Sequence, residues 1–189
     1  MTLNYRDTLN LPDTEFSMKA GLPRKEPEIL KFWSKTNVYE KIRKKYEGKE
    51  LFLLHDGPPY ANGAIHLGHS VNKILKDITV KSKTLQGYDA PFIPGWDCHG
   101  LPIELNVEKK HGKKSDLVKD KESFQKACKE YAQSQISDQL EDFKRLGVFG
   151  DWENSYMSLD SKFEADIIRS FGVIFDAGHI EKGEKPVHW

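Results

Sequence analysis

Two histidines three residues apart, His66 and His69, stand where the chain passes from an apolar run through a proline turn into a helical pattern. The string is Pro58-Pro59-Tyr60-Ala61-Asn62-Gly63-Ala64-Ile65-His66-Leu67-Gly68-His69. On a helix, residues i and i+3 share a face, so both imidazoles can reach one polyphosphate. Gly68 between them leaves a surface without a side chain, over which a flat base could approach the backbone. A helix N-terminus adds unpaired N–H groups and about half a positive charge. The arrangement suits attack on a nucleotide α-phosphate, with protonated or donor imidazoles meeting the charge that grows in the transition state. Taken alone the pattern is weak, because histidine pairs at this spacing also arise for structural reasons. A metal site is a second reading, but no Cys or carboxylate joins the pair at ligand spacing and the HExxH pattern is absent.

The flanking elements decide whether the pair is held as a site. Residues 51–54 form a short apolar run ended by Gly57-Pro58-Pro59, which reads as a buried strand stopping at a turn. Leu67, Val71, Ile74, Leu75 and Ile78 then fall at helical spacing, one apolar face with Lys73, Lys76 and Lys81 on its flanks. Gly87 suits the position past the helix end, and residues 88–93 read as the next strand. Together these predict a βαβ unit with its ligand crevice at the carboxyl ends of the strands.

Those residues resemble a class I aminoacyl-tRNA synthetase, which carries a His-x-Gly-His motif on its first βαβ unit. A second string, Gly95-Trp96-Asp97-Cys98-His99-Gly100-Leu101-Pro102-Ile103-Glu104, is similar to the isoleucyl type. The leucyl type usually carries Phe where His99 stands, and the methionyl and valyl types depart further. The resemblance runs from the helix around Phe32 and Trp33 to the terminal Lys185-Pro186-Val187-His188-Trp189.

The resemblance implies an α/β fold, the N-terminal part of a Rossmann-like nucleotide-binding domain with additional helices and an N-terminal helical extension. His66 and His69 would be catalytic, and Tyr60, Asn62, Gly63, His66, Gly68 and His69 would bind ATP. Pro58 would wall the side-chain pocket for L-isoleucine, and Asp97 would hold the substrate ammonium. A β-branched hydrocarbon needs a dry wall and an ammonium needs a fixed anion. The alternative for Asp97 is an N-cap for the helix that Pro102 begins, though it lies several residues early. ATP with Mg2+ is expected as substrate and tRNA(Ile) as partner. Zinc is expected only in parts of the full-length enzyme outside this chain, and that enzyme is expected to be a monomer. The family also has a Lys-Met-Ser-Lys-Ser loop in a second half of the nucleotide fold. No such string occurs here. The chain is therefore expected to end at the border of the editing insertion and to be weakly active or inactive alone.

The 189 residues suffice for one domain with a core. Basic and acidic residues balance at 29 each, so no global field advertises nucleic acid binding. The clusters Lys41-Ile42-Arg43-Lys44-Lys45-Tyr46 and Lys109-Lys110-His111-Gly112-Lys113-Lys114 read as a solvated helix end and a solvated loop. Cys98 and Cys128, far apart and without a signal peptide, fit reduced thiols in a cytoplasmic protein, with packing the default role for Cys98. No apolar run reaches a membrane span. Residues 1–48 read as an arm and a helix, with Pro27 in the first turn before the stripe Ile29, Leu30, Phe32 and Trp33, and residues 49–189 as the nucleotide-binding part. Helices are expected over 120–146, ended by Gly147, and from Ser161, where Glu164 completes a capping box, to Gly178. Trp152 and Tyr156 between them are expected to anchor a turn. Two other functions remain open from the residues: a different nucleotidyl transferase using His-x-Gly-His, and a noncatalytic module that docks RNA or protein.

Overall fold

The computed structural model describes residues 8–10, 19–112 and 116–186. The chain divides into two compact units, Met1–Asn37 and Val38–Trp189. In the first, α1 (Leu22–Lys35) starts from Gly21 in the left-handed region, φ 58°, and places Pro23 rather than Pro27 in its opening turn. Pro27 lies inside the helix. No residue of α1 is buried, those of the apolar stripe around Phe32 included. Periodicity marks an apolar face without supplying the surface that covers it.

The second unit contains α2 (Val38–Tyr46), α3 (Leu67–Leu85), β1 (Gly95–Trp96), α4 (Leu101–His111), α5 (Asp116–Lys119), α6 (Lys121–Arg145), β2 (Tyr156–Met157) and α7 (Ser161–Asp176). It is mostly helical, with β1 and β2 parallel in the register Gly95↔Tyr156 and Trp96↔Met157. The strands expected over 51–54 and 88–93 are reduced to two isolated parallel bridges, Leu51↔Asp89 and Tyr60↔Asp97. Prolines explain the thin ladder. Pro91 lies within the second run, Pro58 and Pro59 follow the first and Pro94 follows the second, and each lacks the N–H that a ladder needs. The topology of the βαβ unit survives, because both bridges are parallel and α3 makes the crossover between them.

Helix α3 holds the largest departure from the sequence pattern. Leu67, Val71, Ile74, Leu75 and Ile78, the apolar face read from the sequence, are all exposed, Leu67 at 78%. The buried residues are Lys73, Asp77, Val80 and Thr84, which lie one or two turns apart on one face. Asp77 explains its own burial by accepting from Phe149 N at 2.9 Å and from Lys81 Nζ at 2.6 Å. Helix α6 matches the reading: Asp120 accepts from Ser123 N at 3.1 Å as N-cap, and Gly147 follows with φ 78°. Helix α7 has the expected span, but its N-cap is Asp160 and the capping box does not form. Glu164 faces His99 instead, at 3.3 Å. None of α7 is buried, so its apolar residues are not core scaffold. Lys109, Lys110 and His111 form the last turn of α4 rather than a loop, and residues 113–115 lie outside the described residues.

Two clusters make the core. One gathers Trp96, Ile103, Ala132, Ile136 and Phe143, the other Val80, Ala90, Phe92 and Val148. Trp152 packs on both, and Tyr156 lies in β2 rather than in a turn. The Tyr156 ring lies flat against Gly95, where any Cβ would fall inside the ring's van der Waals surface. Gly95→Ala is therefore expected to push the ring away, part β1 from β2 and destabilise the unit by about 1–3 kcal/mol. Urea denaturation checks this, and Tyr156→Ala in the same chain should recover part of the loss if the overlap is its cause.

Candidate active site

The site is built from the first turn of α3. His66 is the N-cap, with φ −119° and ψ 175°, and its Nδ1 accepts from Gly68 N at 3.0 Å. The His66 amide in turn donates to His69 Nδ1 at 3.3 Å, a capping box made of two imidazoles. The rings stack with centroids 3.9 Å apart. Because each Nδ1 accepts a backbone N–H, these bonds assign each ring's proton to Nε2, leaving it a donor. Gly68 is needed here, since a Cβ would lie 2.9 Å from His66 Cε1. The arrangement changes one expectation. The Gly68 amide is taken by His66, so an anion at this tip meets imidazole N–H groups in its place.

Burial, with the neighbouring His66 and Lys73 charges, holds the His69 pKa below its usual 6.5. The neutral donor form is thus the one present at neutral pH. A histidine depressed by folding takes up its proton more readily unfolded, so its contribution to stability is present above pH 6.5 and declines as pH falls through the lower folded value. His69→Gln should flatten the acid side of a stability curve measured by thermal melting between pH 7 and pH 5. An unchanged slope would contradict the assignment.

A cavity of about 280 Å³ opens beside this turn, lined by Pro58, Tyr60, Gly68 and His69 together with Lys73 and Phe143. Of the expected site residues, Pro58, Tyr60, Gly68 and His69 thus converge. His66 reaches the cavity only through its stacked partner. Asn62 and Gly63 are instead clamped to the helices behind: Asn62 Oδ1 accepts from Asn106 Nδ2 at 2.7 Å and Tyr131 Oη at 2.9 Å. Gly63 N donates to Gln135 Oε1 at 2.8 Å. Asp97 is exposed beside the Tyr60 bridge and accepts from Ser158 Oγ at 3.4 Å. It is not the N-cap of α4, a position held by Gly100. Burial, then the Asp97 charge, raises the Tyr60 phenol pKa, and its buried hydroxyl has no hydrogen bond among the described residues.

Sequence reasoning missed two supports. Gln139, fully buried, accepts from Trp96 Nε1 at 3.1 Å and donates to Tyr60 O at 3.0 Å and Gly63 O at 2.9 Å, fixing the loop that precedes the histidines. Asp56, 1% exposed, pairs with buried Lys73 and with Lys76 at 2.6 Å, and accepts from Gly95 N at 3.1 Å. The available signal was positional: Asp56 lies two residues past the apolar run, and Lys73 lies one turn after His69. A second cavity, about 440 Å³, lies between α4 and α6 and includes both cysteines in its lining. Burial raises both thiol pKa values, and Cys98 Sγ donates to Trp96 O at 3.4 Å, as packed thiols do.

The family model of the class I tRNA synthetases (I, L, M and V) matches residues 28–189. The chain belongs to this family. It is 60% identical over 186 residues to the isoleucine–tRNA ligases of Francisella tularensis subsp. mediasiatica (strain FSC147) and subsp. novicida (strain U112). That alignment covers 98% of this chain and 20% of each relative, so the chain spans about a fifth of their length. Among solved structures it is similar to the LeuRS of Agrobacterium radiobacter K84 agnB2, crystallised as a ternary complex with tRNA and LeuAMS. The TM-score is 0.63 at 19% identity, covering 85% of this chain and 18% of that one, a likeness of fold. The class I synthetase nucleotide fold is thus partly present, with α3 as its crossover helix. Among the described residues, no group of three or more His, Cys, Asp or Glu is placed to hold a metal. Nor is any described helix long and apolar enough to cross a membrane.

Proposed function

We propose that this chain carries the ATP and L-isoleucine sites of an isoleucine–tRNA ligase, within the first half of its class I catalytic domain. The observation that carries the reading is the stacked His66–His69 pair beside a cavity that also contains Pro58 and Tyr60. The 60% identity to isoleucine–tRNA ligases favours isoleucine as the amino acid. In this reading ATP arrives with Mg2+, and its α-phosphate lies against the imidazole Nε2–H groups. The isoleucine carboxylate attacks that phosphorus, isoleucyl adenylate forms and pyrophosphate leaves. His66 and His69 donate to the oxygens on which charge grows, Gly68 admits the base, and Pro58 walls the aliphatic pocket. Asp97, outside the cavity lining but beside Tyr60, is assigned to the substrate ammonium. Asn62 and Gly63 hold the loop in shape. Transfer of isoleucine to tRNA(Ile), in the cytoplasm, completes the proposed activity.

The test is isoleucine-dependent exchange of labelled pyrophosphate into ATP. The chain replaces the matching fifth of the Francisella relative, so the rest of that enzyme is supplied. Exchange with isoleucine near the relative's own rate supports the proposal. Absence of exchange in a folded hybrid refutes it.

A further inference from the structure

The Asp56 cluster carries more positive charge than a structural pair requires. Two lysines, Lys73 and Lys76, meet one buried carboxylate, which leaves a surplus of one positive charge. Lys73 is 2% exposed, with Nζ 5.4 Å from the Phe92 ring centre and 5.1 Å from that of Phe143. Burying an ammonium is expensive, and a buried ion pair is at best weakly stabilising. One carboxylate and one lysine would have balanced. The surplus is also not placed at random. Lys73 and Phe143 line the cavity that contains His69 and Pro58, and Lys73 lies one helical turn from His69 on the same face of α3. Lys76 bonds Gly57 O at 3.3 Å, at the edge of the same cavity.

We propose that Lys73, fixed by Asp56 and joined by Lys76, gives the cavity a cationic floor for an oxyanion that also meets the His69 donor. This rests on the nucleotide-binding reading above and deepens it. The oxyanion is a phosphate of the nucleotide or the carboxylate of the amino acid, which share the chemistry a fixed ammonium recognises. The groups facing His69 are few: His66 on the cap, Lys73 one turn on, and the Tyr60 phenol on the preceding segment. Burial keeps the phenol uncharged, so among them the cation is the lysine, whose charge Asp56 favours against the burial that lowers its pKa.

The experiment has two readouts on the 189-residue chain. Imidazole titration of His69 by NMR is compared in the wild type, Lys73→Met and Lys73→Arg. Loss of the ammonium should raise the His69 pKa, and Lys73→Arg should restore it. A purely structural lysine would leave the titration unmoved, which overturns the proposal. Binding is measured for ATP against adenosine and for L-isoleucine against L-isoleucinol, with Lys76→Met as a second variant that keeps the buried Asp56–Lys73 pair should Lys73→Met fail to fold. Roughly tenfold weaker ATP binding with adenosine unchanged assigns the floor to phosphate. The same loss for isoleucine with isoleucinol unchanged assigns it to the carboxylate. Equal affinities throughout, in folded variants, overturn the proposal. A wild type that binds none of the four probes removes the nucleotide reading itself, and that failure is told apart because His69 still titrates with or without its lysine effect.

Discussion

Asp56→Asn is expected to destabilise the second unit by about 3–5 kcal/mol, the size measured when one partner of a buried ion pair is removed. The carboxylate is fully enclosed and takes three donors: Lys73, Lys76 and the Gly95 amide. An asparagine offers a single acceptor oxygen and turns an N–H2 toward an ammonium, so at least one contact becomes donor against donor. Lys76 is partly exposed and can turn to water. Lys73, between Phe92 and Phe143, has no such exit.

The pH dependence gives the same prediction a second signature. Burial already lowers the Lys73 pKa, and Asp56 is the largest influence opposing that shift. Without Asp56 the folded value falls further below the unfolded 10.5. The unfolded chain then binds the proton more tightly, so the variant gains stability as pH rises between the two values. Urea denaturation at pH 7 and pH 9 should show the deficit shrinking at the higher pH. Converting Asp56→Leu with Lys73→Met should leave a much smaller deficit, because the one cation left, Lys76, is partly exposed and can turn to water. A double variant as unstable as Asp56→Asn would show that packing, rather than charge, sets the loss.

The parts legible in the sequence are those set by local punctuation. Asp120 and Gly147 bracket α6 because a cap side chain and a left-handed residue act within a turn of themselves. His66 and His69 share the first turn of α3 for a similarly short-range reason. What failed was the direction of faces. The Leu67-to-Ile78 stripe pointed to a core, yet the buried side of α3 carries Lys73 and Asp77, because their charges are answered by Asp56 and by the Lys81 and Phe149 donors from elsewhere in the chain. Periodicity detects an apolar face, and it cannot show that a charged face has found its partners. The strands were overestimated for a related reason. Hydrophobic runs at 51–54 and 88–93 read as ladders, while the prolines within and after them removed the donors that ladders need. The histidines were legible as a pair but not as a cap, since their ring nitrogens replace the hydroxyl or carboxylate usually found at that position.

In the hybrid with the Francisella relative, replacing His66 or His69 by Ala should lower pyrophosphate exchange by about 10²–10³, the usual loss for one preorganised donor to a developing oxyanion. The rings depend on one another: His66 accepts at Nδ1 from Gly68, His69 accepts from the His66 amide, and the two stack at 3.9 Å. Removing either takes away the other's stacking partner while its backbone bond remains, so the double variant should lose less than the product of the two single losses. The structural cost separates from the catalytic one. Losing a cap destabilises a helix by about 0.5–2 kcal/mol, which a folded protein can absorb. His66→Asn keeps a side-chain acceptor for the Gly68 amide while removing the Nε2–H donor. It should therefore melt near the wild type and still lose most of the exchange rate. If His66→Asn retains wild-type exchange, the imidazole serves the helix alone and the phosphate must be met by other donors. If it loses both stability and exchange, the cap geometry assigned to His66 Nδ1 is wrong.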